Sequence, residues 1–281
     1  MECKFWGTRG SIAAPGKDTI VYGGNTTCLE ITLETGRKLV IDAGTGIRPL
    51  GEHLLAQEEK VEILLLLTHI HWDHVLGFLF FDPIFESDAK ISVDGCPACM
   101  KGLTSIFATK RGDGNFPVKF EDLTAEIQYL DTVRQGPMNV DGVIVDTIPL
   151  HHPQGGLGFR FREGEKTLVF ITDNELTEDA WKGRQPDDYA EFCRDADILI
   201  HDAQFTPEEI DKYRGWGHSD YRATLELAQK AHVKKLILFH HDPSRTDQGM
   251  ASIEATCKDL VLSNTSQIEV VAAREGTQFS L

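Results

Sequence analysis

No run of apolar residues in this chain of 281 reaches the ~18 positions that span a bilayer, and the N-terminal Met1-Glu-Cys-Lys-Phe-Trp has no basic stretch leading into an apolar segment. Membrane insertion and classical secretion are therefore not expected. Positive charge is scarce as well: 28 Lys and Arg stand against 44 Asp and Glu, a formal charge of −16. Tracking a long phosphate backbone requires Lys and Arg to replace condensed counterions, so long nucleic acid is not the expected partner. A small anionic substrate held by a local positive site is compatible with this balance. Cysteine is sparse, six residues of which only one pair lies close in sequence, too few for a disulfide framework. That usage points to a reducing, cytoplasmic setting. The pair, Cys96-Pro-Ala-Cys99, has redox or zinc spacing but lacks a second pair, and reads as buried thiols at a loop-to-helix start. Repeats, low-complexity tracts and long Pro/Gly/Ser linkers are missing too, so residues 1–281 are expected to form one domain.

What is present is a layered α/β pattern. Strands are expected at 3–7, 27–33, 37–42, 61–68, 90–94, 143–148, 157–162, 167–172, 197–201 and 235–240, and helices at 47–57, 189–194, 221–232 and 250–260. The run Val61-Glu-Ile-Leu-Leu-Leu-Leu-Thr68 is apolar on both faces, which requires cover on both faces. Ser219 is the expected cap of the helix that begins Asp220-Tyr-Arg. Residues 99–123 read as an irregular segment suited to a lid or a subunit contact.

Chemistry concentrates after the apolar strand, where Thr68-His-Ile-His-Trp-Asp-His74 puts three imidazoles and a carboxylate within six residues. These are ligands for divalent transition metals, and a strand-to-helix turn aims alternate side chains into one cleft. His69 and His71, two apart at a strand end, point to one side, while Asp73 and His74 beyond the turn reach a second ion. Packing these groups at the mouth of a buried strand is costly without a cation.

The motif His69-Ile-His-Trp-Asp-His74 matches HxHxDH, and through it the chain resembles the metallo-β-lactamase superfamily. Leu150-His-His-Pro153, Ile171-Thr-Asp173 and Leu238-Phe-His-His-Asp-Pro243 follow in that superfamily's order, each at a strand end. The resemblance implies an α/β fold, a four-layer αββα sandwich. It also implies one divalent ion held by His69, His71 and His152 and another by Asp73, His74 and His240, with Asp173 and a hydroxide bridging them. His152 is preferred over His151 because the related phosphodiesterases place their histidine directly before Pro or Gly. His240 is preferred over His241 by its position at the strand end, the other histidine of each pair orienting a ligand or touching substrate. Zinc is the expected metal, with manganese the alternative. Two such ions activate water and clamp the oxygens of an in-line displacement, so hydrolysis is expected.

Gly215-Trp-Gly-His-Ser219 resembles the GHS/T motif of ribonuclease Z and related phosphodiesterases, in which the histidine approaches the scissile phosphate. Asp202, in Ile200-His-Asp-Ala-Gln-Phe205, stands where ribonuclease Z has the glutamate that orients that histidine. The expected catalytic residues are accordingly Asp73, His218 and Asp202. Phe5-Trp-Gly-Thr-Arg-Gly-Ser11, Tyr22-Gly-Gly-Asn-Thr-Thr-Cys28 and Asp42-Ala-Gly-Thr-Gly46 are similar to segments of small bacterial and phage cyclic-nucleotide phosphodiesterases, the anti-Pycsar type. Arg9, Asn25 and His241 are the substrate-binding candidates, and Phe116, Phe205 and Trp216 the aromatics available to stack on a base. The resemblance thus implies a homodimeric phosphodiesterase acting on a 3′,5′-cyclic nucleotide or related cyclic phosphate. A transfer-RNA 3′ endonuclease of the ribonuclease Z type and a metal-dependent nucleotide-binding protein without turnover are the alternatives.

Overall fold

The computed structural model describes residues 1–57, 59–107, 116–176, 184–264 and 267–281. Along them run β1 (Glu2–Gly7), β2 (Cys28–Thr32), β3 (Lys38–Ile41), α1 (Ile47–Leu55), β4 (Glu62–Leu67), α2 (Trp72–Val75), β5 (Lys90–Gly95), α3 (Cys99–Ser105), β6 (Glu126–Tyr129) and β7 (Met138–Val140). Then come β8 (Val143–Pro149), β9 (Leu157–Glu163), β10 (Lys166–Ile171), α4 (Pro186–Phe192), β11 (Ile198–Asp202), α5 (Tyr221–Lys230), β12 (Lys235–Phe239), α6 (Asp247–Ser263), β13 (Glu269–Ala272) and β14 (Gln278–Ser280).

The strands form two seven-stranded mixed sheets, ordered β14-β1-β2-β3-β4-β5-β6 and β13-β12-β11-β10-β9-β8-β7. In the first, β3 to β6 pair in parallel; in the second, β10 to β13 do. β4 shows why the sheets are layered. Its residues alternate in direction, so Ile63, Leu65 and Leu67 face a core that contains α1 residues Ile47, Leu50 and Leu54, while Leu64 and Leu66 face one that contains Phe159, Phe170 and Phe239 of the second sheet. On the far side of the second sheet, Val169, Leu199 and Leu238 meet Tyr189 of α4, Leu225 of α5 and Ile253 of α6. Helix, sheet, sheet and helix thus stack as the four-layer α/β sandwich expected from the resemblance.

The long central elements lie within a few residues of their expected bounds. The structure corrects others. The helix expected at 189–194 begins at Pro186, and β6, β7, β13 and β14 were not anticipated. Asp220 caps α5, its side chain accepting from the Arg222 and Ala223 amides, whereas Ser219 Oγ donates to the Asn174 carbonyl. The start of the segment read as irregular is α3; residues 108–115 of it lie outside the described residues. All six cysteines are free and buried, Cys96 and Cys99 at the α3 start as expected. Among the described residues, no helix is long and apolar enough to cross a membrane.

Candidate metal centre

The parallel strands of both sheets end at one edge, and the connections leaving them bring His69, His71, Asp73, His74, His152, Asp173 and His240 together. The backbone there is bent sharply. Asp42 after β3, Asp173 after β10 and His240 after β12 have φ of 62°, 55° and 57°, the left-handed region that Asp, Asn and His tolerate better than most residues.

Asp173 lies at the centre. Its Oδ2 is 3.6 Å from His69 Nε2 and 4.0 Å from His152 Nε2, and His152 Nε2 is 3.1 Å from His71 Nδ1. Its other oxygen, Oδ1, is 3.4 Å from His74 Nε2 and 3.2 Å from His240 Nε2. Asp73 Oδ2 completes that second group, 3.4 Å from His74 Nε2 and 3.3 Å from His240 Nε2.

These separations suit donors that share a cation. A tetrahedral ion with metal–nitrogen bonds of about 2.0–2.1 Å spaces its ligand atoms at about 3.3 Å. His69 Nε2 and His74 Nε2 are also buried without a hydrogen-bond partner, so two ring nitrogens face the interior of the cluster unmatched. The donor set, imidazole and carboxylate, fits a divalent transition ion.

Each histidine is fixed through its other nitrogen, as ligating imidazoles usually are. His74 Nδ1 is 2.8 Å from Asp42 Oδ2, His240 Nδ1 is 2.9 Å from Gln204 Oε1, and His152 Nδ1 is 3.2 Å from the Gly217 carbonyl. His69 Nδ1 contacts Thr68 Oγ1 at 3.0 Å, and His71 Nε2 contacts Gln154 Oε1 at 2.5 Å. Asp42 is itself held by the Thr68 amide and hydroxyl. Asp42, Gln204 and Gln154 escaped the sequence reading because such partners are set by the fold and lie far along the chain from the rings they hold.

The electrostatics favour added positive charge. Burial would raise the Asp73 and Asp173 carboxyls, yet the surrounding imidazoles hold both well below the usual carboxylate range. Burial would lower His74, but Asp73, Asp173 and Asp42 outweigh it and raise it well above the ordinary histidine value. Burial pushes His69 well down and His152 down to about 4, leaving both rings neutral with lone pairs to offer at neutral pH.

His218 stands beside this cluster. Its Nδ1 is 3.2 Å from Asp202 Oδ2 and 3.8 Å from Asp173 Oδ2, and its ring stacks on His240 with centroids 5.0 Å apart. Burial opposes protonation there, but Asp173, Asp202 and Asp73 together raise its pKa. Asp202 therefore reaches His218 although it is shorter than the family's glutamate. The loop carrying His218 is latched by buried Glu175, whose carboxylate accepts from the Gly215 and Gly217 amides at 2.8 and 3.0 Å.

The three substrate-binding candidates are placed otherwise than expected. Arg9 is completely buried, its guanidinium donating to the carbonyls of Gly23, Asp242 and Arg245. His241 is equally buried and sits 2.8 Å from the Ala273 carbonyl through Nε2. Asn25 is tied to Glu275 and Thr45. Arg9 Nε and Nη1, His241 Nε2 and the Asn25 side chain are thus engaged by backbone and neighbours, while Arg9 Nη2 and His241 Nδ1 are buried without a hydrogen-bond partner. Of the aromatics, Phe116 packs on Phe80 and Phe107, Phe205 is buried against Tyr213, and Trp216 is exposed.

Residues 37–241 match the family described as Beta-lactamase superfamily domain. Ribonuclease Z of Bacillus subtilis (strain 168) is 24% identical over 291 residues, covering 90% of this chain and 92% of that protein. Among solved structures, the metallo-beta-lactamase fold protein YhfI from Bacillus subtilis superposes with a TM-score of 0.70 at 15% identity, over 99% of this chain and 98% of its own. A diphosphatase from the PhnP family does so with a TM-score of 0.67 at 17% identity, over 100% and 97%. At such identities the likeness between structures is one of fold.

Proposed function

The chain belongs to the beta-lactamase superfamily and has the fold of its metal-dependent hydrolases, and from that premise we propose that it is a two-metal phosphodiesterase opening 3′,5′-cyclic nucleotides or a related cyclic phosphate. The observation that carries this reading is the division of Asp173, one oxygen facing His69 and His152 and the other facing His74 and His240. A carboxylate so shared suits two adjacent ions, the first held with His69, His71 and His152, the second with Asp73, His74 and His240. Zinc is the metal best matched to this nitrogen-rich donor set, ahead of manganese. Two ions bound there would lower the pKa of a water and neutralise the phosphoryl oxygens.

The protein's own groups do the rest. Asp73 and Asp173 fix the spacing of the two donor sets. His218, whose pKa is raised by Asp173 and Asp202 against the effect of burial, is the group placed to give a proton to the departing ribose oxygen. The Ser11 amide, donating to Asp73 Oδ2 at 2.6 Å, holds that carboxylate in one orientation. We further propose that the chain pairs as a homodimer, since Ile12, Ile20, Trp72, Phe80 and Phe85 are all exposed apolar side chains.

The test is to load the protein with zinc or manganese and offer cyclic mononucleotides, cyclic dinucleotides, bis(p-nitrophenyl) phosphate and a transfer-RNA precursor, with His71→Ala in parallel. Cleavage of a cyclic phosphate by the wild type, absent in the variant, is the expected result. Cleavage of the transfer-RNA precursor alone would transfer the assignment to a ribonuclease Z activity, which the charge of −16 disfavours. An intact panel with two ions bound per chain would leave a nucleotide-binding protein and overturn turnover.

A further inference from the structure

A cavity of about 600 Å³ opens beside the candidate centre, and His69 lines both. Three connections wall it. The turn after β4 supplies His69 and Ile70, the turn from β5 into α3 supplies Pro97 and Ala98, and the connection from β8 to β9 supplies Leu150 and Gln154. Its size falls in the range of about 300–1,000 Å³ usual for pockets that enclose a small organic ligand.

The chemistry of the wall is as informative as its volume. Among the described residues, no Lys, Arg, Asp or Glu lines it. A second phosphate or a carboxylate entering this space would lose its hydration without meeting a cation, whereas an uncharged ring gives up far less on entering. Gln154, whose Oε1 faces His71 Nε2, is the one side-chain amide at the rim and stands where the cavity meets the cluster.

Resting on the two-metal reading above, we infer that this cavity seats an uncharged planar ring, a nucleobase or an aryl group, carried on the ester arm of a phosphate held at the Asp173 cluster. The substrate class is then a phosphate ester with one such ring. A pyrophosphate or a strand with phosphates on both sides does not fit the wall.

The test reads binding, so that it does not depend on turnover. Phenyl phosphate and methyl phosphate carry the same charge and differ only in the ring. Calorimetry on the zinc-loaded full chain is expected to give phenyl phosphate at least tenfold tighter binding. Ala98→Phe, which fills the cavity from the α3 start, is expected to abolish that preference while leaving methyl phosphate affinity and metal content unchanged. Ala98→Leu, a milder filling, should reduce the preference part way and guards against a folding defect in the larger variant. Equal wild-type affinity for the two ligands, binding of neither, or a preference that survives Ala98→Phe overturns the inference. A ring preference in a protein that cleaves no diester would sink the phosphodiesterase reading and leave the cavity; cleavage of cyclic phosphates with no ring preference would do the reverse.

Discussion

His74 is engaged at both ring nitrogens, by Asp42 on one side and by the gap between Asp73 and Asp173 on the other. The Asp42 carboxylate fixes a proton on Nδ1 and so leaves the Nε2 lone pair free for a cation. Asp42→Asn isolates this effect, because Asn tolerates the positive φ at that position and keeps one acceptor oxygen. It should weaken binding of an ion by about 10–100-fold, a cost typical of such partners, in a metal titration against a chelating indicator. An unchanged affinity would mean that His74 needs no carboxylate behind it. Gly217 constrains His152 by contact: with φ at 88°, a Cβ there would lie 2.0 Å from His152 Nδ1. Gly217→Ala should therefore displace the ring and lower the metal content, measured by elemental analysis of the dialysed protein. For Asp202→Asn the expectation is a fall in kcat of at least tenfold with metal content unchanged, since only the group behind His218 changes; a loss of metal instead would make Asp202 part of the ion site. The seven residues that the fold gathers into one cluster were legible in the sequence, because HxHxDH and its three downstream partners are short, local patterns. Arg9 and His241 were expected to touch substrate; the sequence did not reveal that both side chains are fully buried with backbone carbonyls as partners, since those carbonyls come from distant loops.

At the scale of elements, the edge of the sandwich works because strands end where the chemistry is needed. Parallel pairing aligns the C-terminal ends of β3, β4 and β5 in one sheet and of β10, β11 and β12 in the other, so Asp42, His69, Asp173, Asp202 and His240 emerge at or next to strand ends. Strands buried on both faces announce themselves as apolar runs, and all of these were expected from the sequence within a residue or two. The short outer strands were not. β6, Glu126-Ile-Gln-Tyr129, leaves most of its side chains exposed, and β13 and β14 are only four and three residues long, so their pairing is imposed by a neighbour rather than by a pattern of their own. The loop bearing His218 depends on Glu175, which is buried and holds two amides. Removing it by Glu175→Ala leaves those amides unmatched, a cost of about 1–3 kcal/mol for a buried donor. A lower unfolding midpoint together with weaker binding at the His152 group is the expected outcome, read by thermal denaturation and metal titration; a drop in stability alone would confine Glu175 to holding the fold.

For the whole molecule, the two sheets share one plan. Read from β14 to β6 and from β7 to β13, each has three antiparallel pairings followed by three parallel ones, although the sequence shows no repeat. The matching positions carry different chemistry: Asp42 after β3 holds a ring, while Asp173 after β10 faces two groups of them. A pairing pattern can persist where residues do not, because backbone hydrogen bonds fix the register and side chains need only be apolar on the covered faces. Trp72, within the His69–His74 motif, is 71% exposed, and Phe80, at the end of the short helical stretch that follows it, is 52% exposed. Exposed aromatics of that size are costly in water and suit a contact with a second copy. Sedimentation of the wild type should give twice the chain mass, and Phe80→Glu, which lies outside the ion ligands, should shift it to a single chain with metal content retained. A wild type that sediments as a single chain, or a variant that remains paired, would remove this surface as the dimer contact.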